Sequence, residues 1–352
     1  MRAMGGDGWR ASVAAVGTLV VLVLAAGIGA LVVKSADVAS ASAALGEGPV
    51  ALPAPARSLS LQERLDEAGY RLPLGTSVYA AQILRSPGGA LRFQEFEAGG
   101  GARAEDFWPA SSIKVLVAVA ALDFLRSLGF TGAARLEWPS GWTTTVRKLV
   151  DDAVNESAND AYDLLIQVAG FDRLNAEFLS PANGFPDTVI QRAYAGYDIR
   201  NSPPLVVTEG DRTATIPARS SDTVYDCPDR GNCSNLYEMT ESIRRIVLHD
   251  ELPVSQRFNL DPADVRALDY ALLASEGWID PGVVRTFGTR ARVYNKPGFA
   301  GGLDCLDVGL VEDVTTGHRF LIGVTTPVRT PGDTGCQVLA TVAQEVLEAL
   351  AT

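Results

Sequence analysis

The stretch that decides the fold reads Trp108-Pro109-Ala110-Ser111-Ser112-Ile113-Lys114 and runs on as Val115-Leu116-Val117-Ala118-Val119-Ala120-Ala121-Leu122. Its second half is apolar on nearly every side, which predicts a helix enclosed all round by the core. Ser111 and Lys114 stand three residues apart at the head of that helix, so their side chains share a face and can meet. A lysine there is costly to bury charged. Desolvation, with the positive end of the helix dipole beside it, drives its pKa down towards a neutral amine. A neutral amine within reach of a hydroxyl can take its proton, which makes the serine a nucleophile without any histidine. A lone Ser-x-x-Lys arises easily by chance. What raises this one above chance is the scarcity of lysine: the chain has Lys34, Lys114, Lys148 and Lys296 against 26 arginines, the 30 basic residues less those four. Surface positive charge is left to arginine, which does not deprotonate in proteins and could not serve as the base.

With 352 residues, 47% of them hydrophobic and 20% charged, the chain has the composition of a globular protein with ample core. Its net charge of -12 and the lack of a basic stripe exclude nucleic acid as a partner. The two histidines, His249 and His318, sit among charged or turn residues, and no His/Cys cluster has zinc spacing. Neither a metal nor another cofactor is expected. Four cysteines agree with an oxidising compartment. Cys227 and Cys233 bracket a turn-rich loop short enough to close on itself, and pairing them would leave Cys305 with Cys336. Four cysteines allow three connectivities, so this is a preference among them.

Residues 11–33 form an uncharged, largely apolar stretch between Arg10 and Lys34, long enough to span a bilayer. Small-x-small sites at Ala39-Ser40-Ala41 and Ala41-Ser42-Ala43 keep a cleaved signal open, with an uncleaved anchor preferred. The expected organisation is therefore a membrane anchor or signal over 1–34, an Ala/Ser/Pro-rich linker over 35–60, and a folded domain over 61–352 outside the cytoplasm. In that domain the pattern predicts a short helix from Leu61 to Ala68 and strands at Thr76 to Leu84 and Leu91 to Phe96. From Asp106 to Ala274 it reads as mainly helical with loops. Strands return at Ala291 to Tyr294, Cys305 to Val311 and Arg319 to Thr325, before a last helix from Cys336 to Leu350. Strands, a helical block, then strands and a helix imply one mixed sheet with a helical region inserted into it. The polar segment from Asn201 to Cys233 resists reading, beyond a disulfide-closed loop that could cover a cleft rim.

Two more elements follow Ser111. Asn155-Glu156-Ser157-Ala158-Asn159-Asp160 lies between helical stretches, where Ser and Asn are ordinary linker residues. Tyr294-Asn295-Lys296-Pro297-Gly298 ends a strand, where Pro-Gly is an ordinary turn and a lysine is usually solvated. Taken in order, the three motifs S-x-x-K, S-x-N and K-x-G resemble those of the class A β-lactamase and penicillin-binding serine hydrolases. The resemblance covers roughly Leu61 to Thr352 and is strongest over the first two motifs. It implies an α/β (α+β) fold of the β-lactamase/transpeptidase type, a mixed antiparallel sheet flanked by helices. It also implies roles. Ser111 is the acylated nucleophile, Lys114 its proton acceptor, and Ser157 a proton relay to the leaving group. Asn159 holds Lys114 and the substrate amide, and Lys296 keeps the cleft electropositive. Gly298 and Phe299 line the substrate, with the N–H groups of Ser111 and Phe299 forming an oxyanion hole.

Two departures shape the expected activity. Pro297 stands where the family has Ser or Thr, so a hydroxyl that grips the substrate carboxylate is missing. The loop Ile190-Gln191-Arg192-Ala193-Tyr194-Ala195-Gly196-Tyr197-Asp198 has no glutamate, and matching Arg192 to the family's arginine leaves Tyr194 at the position of the deacylating base. Tyrosine, with an ordinary pKa near 10, is a poor base at neutral pH. The expectation is a serine hydrolase acting on an amide or ester, such as a β-lactam or cell-wall peptide, that acylates more readily than it deacylates. The alternatives are a true β-lactamase using Asp198 as base, and a non-catalytic module that binds cell-wall peptides or a partner protein.

Overall fold

The computed structural model describes residues 59–103, 107–227, 231–301, 304–327 and 335–351. The expected membrane segment over 1–34 and nearly all of the expected linker lie outside them. Among the described residues no helix is long and apolar enough to cross a membrane. The first described strand, β1 (Leu59–Ser60), pairs in parallel with β3 (Leu91–Ala98), and Ser60 Oγ caps helix α1 (Leu61–Glu67) by accepting from Glu63 N.

The large sheet is built from β1, the hairpin β2 (Ser77–Arg85) and β3 (Leu91–Ala98), and the late strands β12 (Arg292–Ala300), β13 (Asp304–Glu312) and β14 (Arg319–Pro327). Their order is β1-β3-β2-β14-β13-β12, and every pair except β1–β3 is antiparallel. Strand residues alternate between two cores, as a period of two requires. Tyr79, Ala81, Leu306, Val308 and Leu321 face the helical region, while Val78, Ala80, Phe320, Ile322 and Val324 face α1 and the C-terminal helices α7 (Asp280–Phe287) and α8 (Val338–Ala351). Burial on both faces explains why the central strands β2, β13 and β14 read as mostly apolar and not as a clean alternation. The mixed sheet flanked by helices is the architecture that the sequence predicts.

The helical region inserted between β3 and β12 holds α2 (Lys114–Ser127), α3 (Val146–Val154), α4 (Asn159–Ala169), α5 (Leu236–Val247) and α6 (Pro262–Ala274). Every residue from Lys114 to Ala121 is fully buried, so α2 is enclosed all round as its sequence predicts. Side-chain oxygens cap α3, α5 and α6 through Thr145, Asn235 and Asp261.

The same region also contains strands where helices and loops are expected. Strands β4 (Arg135–Glu137), β5 (Thr143–Thr145), β8 (Leu205–Glu209) and β9 (Arg212–Ile216) form a sheet of order β5-β4-β8-β9. Two short ladders accompany it: β6 (Val189–Ile190) with β11 (Asn232–Cys233), and β7 (Asn201–Ser202) with β10 (Arg219–Ser220). Most of these strands are too short to show a period. The β8–β9 hairpin did carry a signal, the two-residue Gly210-Asp211 link with Gly210 at φ +57. Disulfides join Cys227 to Cys233 and Cys305 to Cys336.

Candidate active site

Ser111 does not lie on the helix itself. Ala110–Ile113 is a 3-10 turn, and α2 starts at Lys114, whose backbone N–H donates to Ser111 O. The spacing works all the same, because a 3-10 turn eclipses positions three apart. Pro109 forms the entry, and Ala110 sits at φ +46, a left-handed conformation that costs a non-glycine residue about 1 kcal/mol. Neighbours hold the turn in place. The Tyr194 hydroxyl donates to Ala110 O at 2.8 Å and accepts from Trp108 Nε1 at 3.2 Å, while Ser112 N and Oγ both donate to Pro109 O. The two serines are thereby distinguished: Ser112 is buried and bonded, whereas Ser111 is half-buried at the surface of the turn.

Lys114 is fully buried, yet its Nζ has three polar neighbours. It donates to Ser157 O, donates to Asn159 Oδ1 at 2.7 Å, and lies 3.3 Å from Ser157 Oγ. The first two are acceptors only, but the third is a hydroxyl that can accept from an ammonium or donate to a neutral amine. This shell therefore fits either protonation state. Burial, followed by the nearby Lys296 charge, pulls the Lys114 pKa down from 10.5 to about 7, with Asp163 and Asp160 opposing. Among the described residues no hydrogen bond joins Nζ to Ser111 Oγ; such contacts often tighten only when substrate binds. Ser157, like Ala110, adopts a left-handed φ of +56, which turns its carbonyl onto Lys114. Asn159 is the first residue of α4.

The third motif differs from its sequence reading. Lys296-Pro297-Gly298 lies in the middle of β12, not at a strand end followed by a turn, and Lys296 is fully buried. Burial draws its pKa down to about 8, with Asp307 opposing from the next strand. Asp307 pairs in register with Pro297 and so faces the opposite side of the sheet. Strand β12 is the edge of the sheet, where a missing N–H costs least, so Pro297 is tolerated. A Cβ on Gly298 would stand 2.8 Å from Pro109 O, so only glycine lets this strand lie against the Ser111 turn. Phe299 follows it and is 53% exposed at the rim.

The loop facing the turn is held by a residue that the sequence reading overlooked. Asp163, buried on α4, accepts from Tyr194 N, Ala195 N and Tyr197 N at 2.7, 2.9 and 3.1 Å. A carboxylate inside the apolar run Tyr162-Asp163-Leu164-Leu165 was the available signal, since aspartate is almost never fully buried without partners. Tyr194 stacks on Tyr162 at 4.4 Å, and its ring centroid lies 5.7 Å from Lys114 Nζ. Burial pushes its hydroxyl up to about 12, so it stays neutral. Asp198 does not reach this group. Its exposed carboxylate accepts from Arg200 N, Asn201 N and Asn201 Nδ2, and these turn contacts hold its pKa below the usual value. The disulfide-closed segment packs beside residues 189–191 through β6–β11 and a Gln191 N to Gly231 O bond.

Residues 99–350 match the beta-lactamase enzyme family. The chain belongs to that family. No curated protein matches it. Solved structures share the fold at low identity. A PBP-A variant captured as an acyl-enzyme with penicillin G is 15% identical, covers 84% of this chain and 99% of its own, and has a TM-score of 0.56. The TLA-3 extended-spectrum beta-lactamase is 12% identical over 83% of this chain and 98% of its own, with a TM-score of 0.58. The class A beta-lactamase from Mycobacterium abscessus is 17% identical over 83% and 98%, with a TM-score of 0.54. In this beta-lactamase-family chain the Ser111 turn lies between an edge strand and the helical region.

Proposed function

We propose that this chain is a serine hydrolase working outside the cytoplasm, acylated at Ser111 by an amide or ester substrate and slow to release the acyl group. The observation that carries the proposal is the buried, hydrogen-bonded Lys114, its pKa drawn to about 7, in register with Ser111. Neutral Lys114 takes the Ser111 proton as Oγ attacks the substrate carbonyl. The N–H groups of Ser111 and Phe299 receive the developing oxyanion, where each such donor contributes about 3 kcal/mol. Ser157, 3.3 Å from Nζ, returns the proton to the leaving group, and Asn159 fixes Lys114 and meets the substrate amide. Lys296 supplies a cation for an anionic substrate, whereas Pro297 lacks the hydroxyl that would share its grip. A cell-wall peptide or a β-lactam fits this site. The apolar 11–33 stretch and the two disulfides support a membrane-attached domain in an oxidising compartment.

Slow release follows from the facing loop. Neutral Tyr194 cannot deprotonate water near pH 7, and the Asp198 carboxylate is taken up by its own turn. That position of Asp198 speaks against a hydrolytic route through it. One observation favours the non-catalytic alternative, a cell-wall or partner-binding module: the Lys114 bonds run to Ser157 and Asn159 and not to Ser111. The two readings separate on incubating the full-length protein with a fluorescent penicillin and with a fluorophosphonate, using Ser111→Ala as control. Labelling by either probe that disappears in the variant supports the hydrolase; its absence with both supports binding alone.

A further inference from the structure

A second pocket, of about 250 Å³, lies on the far part of the helical region, away from Ser111. Asp123 of α2 forms part of its wall, nine residues beyond Lys114, or about 13 Å along a helix rising 1.5 Å per residue. Three arginines line it: Arg173 from a π-helical turn after α4, Arg245 near the end of α5, and Arg257 from the loop that follows.

Among the described residues, each guanidinium is fixed by contacts that leave one nitrogen over. Arg245 Nε donates to Gln256 O at 2.9 Å and Nη1 to Asn183 O at 2.7 Å, with the group lying 4.1 Å over the Phe258 ring. Among the described residues its Nη2 has no hydrogen-bond partner. Arg257 Nε donates to Leu252 O at 2.8 Å and Nη2 to Asp250 O at 3.1 Å, which leaves Nη1. Arg173 Nη2 donates to Asp123 at 2.6 Å and Nε lies 3.7 Å from Glu177, while Nη1 is buried without a partner. Both pocket carboxylates thus belong to Arg173. Among the described residues Arg245 and Arg257 pair with no carboxylate, so three guanidiniums face two acids in a chain of net charge -12.

We infer that this pocket binds a small tetrahedral dianion, either inorganic phosphate or the phosphomonoester end of a larger molecule. Three guanidiniums that each keep one nitrogen without a partner among the described residues line this pocket, and planar guanidinium forks favour phosphate geometry. The volume falls below that of drug-sized sites, which restricts the occupant to a group of this scale. Two arginines with no acidic partner match the two charges of the ligand. Asp123 and Glu177 sit on the Arg173 side and set the orientation by repulsion.

The test is titration of the full-length protein with inorganic phosphate and with glycerol 3-phosphate, read by calorimetry against sodium chloride at matched ionic strength. Saturable binding of one equivalent is expected, with the tighter probe identifying the source. Arg257→Gln removes a guanidinium held only by two backbone carbonyls and should weaken binding at least about tenfold. Ser111 labelling should not change in this variant. Arg245→Gln should weaken binding similarly; should it fail to fold, Arg257→Gln decides the question alone. No saturable binding of either probe, or unchanged affinity in Arg257→Gln, overturns the inference.

Discussion

The wall around Ser111 and the loop facing it treat charge in opposite ways. On the wall two lysines are fully buried, and desolvation brings both within reach of neutral pH, to about 7 for Lys114 and about 8 for Lys296. On the loop the residue bonded to the Ser111 turn is a tyrosine held neutral, and the one carboxylate in the same stretch caps a turn in solvent. Acylation and deacylation are thus separate demands on one cleft. The first needs a base beside the serine; the second needs a base beside the water. On the proposed function, the wall holds the candidate base for the first, while an aromatic lock stands in place of the second, since the Tyr194 hydroxyl ties the loop to Ala110 O.

The sharpest way to break the contrast is to remove the base from the wall. Lys114→Met should slow Ser111 acylation about a thousandfold, within the range that a positioned base contributes, as measured by the labelling rate with a fluorescent penicillin. Giving the loop a base should move the other half alone. Tyr194→Glu, beside the Asp163-capped backbone, should speed release of the acyl group about a hundredfold with little gain in its formation, read as decay of the adduct after excess probe is removed. Gly298→Ala forces a methyl to within 2.8 Å of Pro109 O and should cost about 1–3 kcal/mol of stability, visible as a lower thermal midpoint.

The pH profile sharpens the same contrast with a smaller effect. Lys114 must be neutral to act, so the acylation rate should rise about tenfold per pH unit up to its pKa near 7. Lys296 must stay charged to hold an anionic substrate, so the rate should fall above about 8. The predicted bell is narrow, and its acid limb should vanish in Lys114→Met while its alkaline limb moves in Lys296→Arg.

Much of the wall was legible in the sequence because its chemistry is local. Ser111 and Lys114 are three apart, the enclosed helix announces itself through eight apolar residues, and lysine scarcity marks Lys114 as unusual. The mixed sheet followed from where the apolar runs fall. What escaped depends on contacts distant in sequence. The 3-10 turn at Ser111 is held by Tyr194, more than eighty residues on, and the loop is held by Asp163, whose three N–H partners no local pattern reveals. Strand β12 runs through Pro297 because the sheet edge tolerates it, a fact about neighbours and not about the Pro-Gly pair itself. The small sheet in the helical region was missed because three-residue strands owe their form to partners rather than to period.

The central claim, a serine that accepts an acyl group readily and gives it up slowly, is tested most directly by time-resolved intact-mass measurement of the full-length protein mixed with a penicillin. The account predicts one adduct per chain, formed within the burst, located at Ser111, absent in Ser111→Ala, and persisting long after free penicillin is removed. A chain that never gains Ser111-dependent mass, or one that turns over penicillin steadily with no adduct accumulating, would contradict it.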